Sequence, residues 1–198
     1  MPSRRTLLQT AVAIAGSPLA PGVIYAGSAR AAARMGVLYD HRHREARAFR
    51  LRAAVLNAPV HGTEDGDITD LWQHYFSVAW KDEPMPLAGL TERPALFMLE
   101  QLGFQHGMRV VFQGEHEPDG QGAWTHTIVR SSRPALKGHL DASGSGWPAV
   151  LADQLLTAPQ TVASKDITPT GAAMAARIDE PARLYSWIIA PRSVVEHI

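Results

Sequence analysis

The chain has no cysteine. That excludes disulfides, thiolate zinc sites, cysteine-ligated iron-sulfur clusters, covalently attached c-type haem and a lipidated N-terminal cysteine. Three fingerprints of common α/β enzymes are also missing. Where a G-x-G-x-x-G dinucleotide loop would follow the first apolar segment, Asp40-His41-Arg42-His43 stands instead. Neither a Walker lysine motif nor a G-x-S-x-G nucleophile elbow occurs. Nor is there a net charge. The formal total is zero, and three of the 19 basic residues, Arg4, Arg5 and Arg30, lie in the first 33 positions, which hold no acid. The remainder carries 16 basic against 19 acidic groups, a net of −3, a poor basis for holding nucleic acid through its phosphates. Internal repeats and low-complexity tracts are absent too, so 198 residues with 45% hydrophobic content imply one domain with a substantial core.

What is present begins with the leader. Ser3-Arg4-Arg5-Thr6-Leu7-Leu8-Gln9 resembles the twin-arginine signal of bacterial export, in which two arginines precede a hydrophobic pair and a polar residue. The apolar stretch behind it is interrupted by Gly16, Pro18, Pro21 and Gly22, too broken for a stable membrane span. Small residues between Ala26 and Ala33 then offer cleavage sites from about Ala29 to Ala33. The resemblance implies a periplasmic protein carried in a folded state by the twin-arginine translocation machinery. Residues 1–33 are thus expected to be a signal peptide and 34–198 a single α/β domain.

The stretch from Met85 to His116 carries the fold. Pro86 to Leu90 is an apolar run, Thr91 offers a hydroxyl to a starting helix, Ala95 to Phe104 is apolar over most of its circumference, and Gly107 can end it. Arg109 to Phe112 follows as a second strand, and the unit predicts two parallel strands joined by a right-handed crossover. Met35 to Tyr39 predicts a first strand ending at Asp40, with a helix over Arg44 to Leu56. Ala58 to His61 predicts a weak strand, at an edge because of Pro59. Asp67 is expected to cap a helix reciprocally with Asp70, and Leu71, Trp72, Tyr75, Phe76 and Ala79 share one face of it. Gln113 to Gly122 reads as the polar loop of a wide hairpin whose second strand is Trp124 to Val129. A long connection over Ser131 to Gly146, a helix from Pro148, a short helix within Thr168 to Ile178 and a doubly covered strand Leu184 to Ala190 complete the chain.

This order predicts a three-layer α/β sandwich with a mainly parallel sheet and one or two antiparallel strands toward the C-terminus. It resembles flavodoxin-like and other Rossmann-like folds in architecture only. Ligands in such sheets settle beside the carboxyl ends of the strands. There Asp40, His41 and His43, with Glu115 and His116, offer carboxylate and imidazole ligands for a divalent metal. The competing reading leaves Asp40 bonded to a helix start, His41 and His43 in solvent, and Glu115-His116 at a hairpin tip. A second candidate is the helix start at Thr91, Glu92 and Arg93, which either receives an anion or is simply capped. Two functions follow from different classes: an exported domain that binds a small molecule or accompanies a periplasmic partner, or a metal-assisted hydrolase. The sequence leaves open whether the chain is an enzyme.

Overall fold

The computed structural model describes residues 35–131, 133, 135–157 and 182–192. In chain order these form β1 (Gly36–Asp40), α1 (Arg44–Val55), β2 (Val60–Thr63), α2 (Thr69–Leu71), a π-helical turn (Trp72–Phe76), α3 (Ser77–Asp82), β3 (Leu87–Thr91) and α4 (Arg93–Phe104). Then come β4 (Met108–Pro118), β5 (Trp124–Arg130), α5 (Leu136–Ala142), a single 3-10 turn, α6 (Trp147–Thr157) and β6 (Leu184–Pro191). The short helix expected within 168–178 lies outside the described residues. No described helix is long and apolar enough to cross a membrane.

One sheet gathers all six strands in the order β2-β1-β3-β6-β4-β5. β1 pairs in parallel with β2 and β3, whereas β3 with β6, β6 with β4, and β4 with β5 are antiparallel. The expectation of a mainly parallel sheet is therefore corrected to a mixed sheet with more antiparallel than parallel pairings. The cause is β6. The β3-α4-β4 unit exists and its two strands point the same way, since both oppose β6, but the last strand of the chain is inserted between them. Every β6 residue except Tyr185 is buried, which suits a strand with neighbours on both sides. Gly89 makes its entry possible: a Cβ there would lie 2.1 Å from the Trp187 ring, so the indole crosses β3 where no side chain stands.

Alternating strand residues feed two apolar clusters. One joins Val37, Ala88, Phe112 and Ile188 to α1, α5 and α6 through Phe49, Leu136, Trp147 and Leu151. The other joins Leu38, Leu87, Val110 and Trp187 to α3 and α4 through Trp80, Leu96 and Leu99. The period of two along the strands does this sorting, except in β4, where a bulge between Val110 and Phe112 sends these two to opposite clusters.

Several local expectations change. Thr91 ends β3 instead of capping α4; Glu92, with extended backbone, is the residue before the helix, and a proline occupies its first turn. Asp67 accepts from the amide and hydroxyl of Thr69, at 2.8 and 2.7 Å, and closes a local turn in place of a reciprocal cap with Asp70. β4 runs on to Pro118, so the wide hairpin is a tight one, closed by the Asp119 amide donating to Ala123 at 2.9 Å. Polar residues at 113–117 read as loop because their alternation with Gly114 and His116 hides a strand that has one buried and one open face. β2 is an edge strand, as Pro59 requires.

Candidate functional site

β1, β2 and β3 run in parallel and end together at Asp40, Thr63 and Thr91, all three buried. Asp40 is the centre of what assembles there. It has no exposure, and a carboxylate so placed must be paired and hydrogen-bonded to stay ionised. Arg42, two residues on in the turn into α1, supplies both needs. Its Nε donates to Asp40 Oδ1 at 2.9 Å, its Nη2 to Oδ2 at 2.6 Å, and its backbone amide to Oδ1 at 3.1 Å. Burial alone pushes the Asp40 carboxyl up, but the Arg42 hydrogen bonds and charge, with His43 beyond, outweigh it and hold the group below its ordinary value. The same bond to Asp40 raises the Arg42 guanidinium.

The network extends to β3. Arg42 Nη2 also reaches Glu92 Oε2 at 3.1 Å, and His43 Nε2 donates to Glu92 Oε1 at 2.8 Å while lying 3.8 Å from Asp40 Oδ2. Asp40, His43 and Glu92 each offer one ligand atom within 4.8 Å of the others. His41 turns away, its Nδ1 donating to the Thr63 carbonyl, and Arg47 caps the turn by donating to the His41 carbonyl at 2.6 Å.

The remaining residues predicted for a site fall elsewhere. The Thr91 hydroxyl is consumed, accepting from Trp187 Nε1 at 3.1 Å and donating to the Glu92 carbonyl at 3.0 Å. Arg93 lies over the Tyr185 ring, 5.7 Å from its centroid, and its Nη1 is buried without a hydrogen-bond partner. Glu115 and His116 are interior residues of β4, three strands along the sheet from β1, about 14 Å by strand spacing. They share no site with Asp40. Glu92 takes the place foreseen for His116, and Arg42, which sequence reasoning passed over, binds the group together. A signal for both existed: Asp40-x-Arg42 spans one strand-to-helix turn, and Glu92 holds the equivalent turn of the neighbouring strand.

Nothing among known protein families, characterised proteins or solved structures matches the chain. The site therefore has to be read from its own chemistry. A small cleft lined by Phe104, Met108 and Arg130 among others lies at the amino end of β4, away from this rim.

His116 belongs to a different constellation. Its Nδ1 is 2.8 Å from Nδ1 of His126 on β5, and its Nε2 is 2.8 Å from the Ser186 hydroxyl of β6. All three are buried, and Trp147 covers both imidazoles, with ring centroids 4.5 and 4.9 Å away. Serine, histidine and histidine in line suggest nucleophilic catalysis, but a substrate carbonyl has no approach to a hydroxyl enclosed on every side. One ring donates its Nδ1 proton and the other accepts it, and burial favours the neutral form of both rings. Burial, and then the neighbouring His126, push His116 down to about 3. Burial lowers His126 too, with Asp141 opposing and Lys137 adding to the shift.

These imidazoles make stability depend on pH. The unfolded chain binds a proton at each near pH 6.5 while the folded chain resists it, so the stabilisation is complete above that value and lost as pH falls toward 3. Urea unfolding at pH 7 and pH 5 should show a loss of about 2 kcal/mol attributable to His116, absent in His116→Gln. Equal pH slopes for wild type and variant would contradict the neutral pair.

Proposed function

We propose that the chain is an exported α/β domain, its helices covering both sheet faces as three layers, that binds a small polar molecule in the periplasm or accompanies a partner there through the same rim. The observation that carries this reading is the network of Asp40, Arg42, His43 and Glu92 at the carboxyl ends of two adjacent parallel strands. Open sheets offer ligands a crevice at such strand ends, where the connecting turns diverge. The groups present are donors and acceptors in fixed positions, suited to recognition. None of them is an activated nucleophile. The export half rests on the Arg4-Arg5 leader.

A metal-assisted hydrolase at these strand ends is the alternative, and the one feature in its favour is the triangle of Asp40, His43 and Glu92. Against it, the side chain beside those three is the Arg42 guanidinium, which cannot serve as a base for a metal-bound water.

Thermal unfolding of the full chain against a panel of polar small molecules tests the binding half. A ligand present at one hundred times its Kd should stabilise by about 2.7 kcal/mol, and Glu92→Gln should abolish the shift. Ligands that stabilise both proteins equally would place binding elsewhere. For export, changing Arg4 and Arg5 together to lysine should leave the precursor in the cytoplasm on fractionation. Mature periplasmic protein from that variant would remove the twin-arginine route.

A further inference from the structure

We propose that the strand-end cluster is a divalent metal site, with Asp40, His43 and Glu92 as protein ligands and the Arg42 guanidinium as a cation that competes with the ion for the two carboxylates. The inference rests on reading the rim as a binding site and names the class of its ligand.

Geometry is the first support. Three ligand atoms from two strand ends lie within 4.8 Å of one another, and bonds of about 2.1 Å to a common ion would need only small rotations to close. One imidazole and two carboxylates suit zinc, or manganese where the coordination is larger. His43 would bind as the neutral ring through Nε2, its proton moving to Nδ1, and would exchange its hydrogen bond to Glu92 for the metal.

Charge balance is the second. Two carboxylates face a single guanidinium, with one imidazole beside them. A dication in the triangle, with Arg42 swung outward, closes the sum to zero. The Arg42 side chain is 37% exposed and can leave toward solvent, whereas Asp40 cannot. The arginine's backbone amide stays on Asp40 Oδ1 and orients the ligand from behind.

The third is independent of the carboxylates. Thr63 is 1% exposed and its hydroxyl has no hydrogen-bond partner, a costly state for a buried polar group. It stands in register with Asp40 on the adjacent strand, so the two side chains share a face one strand spacing apart. A hydroxyl placed there can donate to a ligating carboxylate oxygen or to water on the ion.

The test is equilibrium dialysis of the full chain, stripped with chelator, against Zn²⁺, with zinc counted by mass spectrometry and thermal unfolding followed in parallel. One zinc per chain is expected, with affinity lowered about tenfold or more in His43→Ala and Glu92→Gln and unchanged in His74→Ala and His139→Ala on the surface. The deciding variant is Arg42→Gln. If the guanidinium competes with the ion, this change raises zinc affinity by about tenfold and zinc restores the variant's lost thermal stability; a structural ion pair predicts destabilisation that zinc leaves untouched. Where circular dichroism shows Arg42→Gln unfolded without zinc, Arg42→Lys decides, since a cation lacking the fork should give an intermediate affinity. Zinc bound no more tightly by either Arg42 variant than by wild type overturns the proposal. Failure here with a Glu92-dependent shift from an organic ligand would end the metal site alone; failure of both would end the rim as a binding site.

Discussion

A carboxylate with no access to water stands at the end of β1, and the rim of the sheet is arranged around keeping it charged. Asp40 receives three hydrogen bonds from one residue, Arg42, two of them from the fork of the guanidinium. That demand fixes the turn between β1 and α1. Because the guanidinium has further donors, it reaches Glu92, and through Glu92 it draws in His43, so the ends of β1 and β3 are tied by charge as well as by their ladder. Buried ion pairs are weak grounds for stability, since an apolar pair of the same volume does as well. Stability alone therefore does not account for the charge at this rim.

The other polar group in the interior follows the opposite logic. His116, His126 and Ser186 are sealed beneath Trp147 and satisfied by one another as neutral groups, with no ion to compensate. The ends of β1 and β3 gather charge, while the cluster beneath Trp147 is made of neutral groups. The two polar groups are therefore sorted by access: the serine and histidines have the order of a relay and no route in, while Arg42 and Glu92 reach solvent and Asp40 lies behind them.

Much of this was legible in the residues. Asp40 ends a strand because five mostly apolar residues precede it, and β1 beside β3 follows from two short buried runs joined through helices. β6 inserting between β3 and β4 was not legible, since a strand apolar on both faces does not reveal its neighbours; Gly89 opposite Trp187 was the only local trace. Glu115 and His116 were misplaced because a half-open strand of polar residues has the composition of a loop. Extending the antiparallel register back from His126 would have set His116 opposite it. Arg42 escaped notice as one of several arginines near a helix start, and only its distance to Asp40 distinguishes it from Arg44 or Arg47.

The account stands on the coupling between Asp40 and Arg42. A double-mutant cycle in metal-free buffer, with Asp40→Asn, Arg42→Gln and the pair compared by urea unfolding, measures it directly. Because one partner is wholly buried and the other more than a third exposed, the coupling should be about 1–2 kcal/mol, with the double variant less damaged than the two single changes predict together. Additive effects, agreeing within about 0.3 kcal/mol, would mean that the guanidinium does not sustain the buried carboxylate, and the rim would lose its organising interaction.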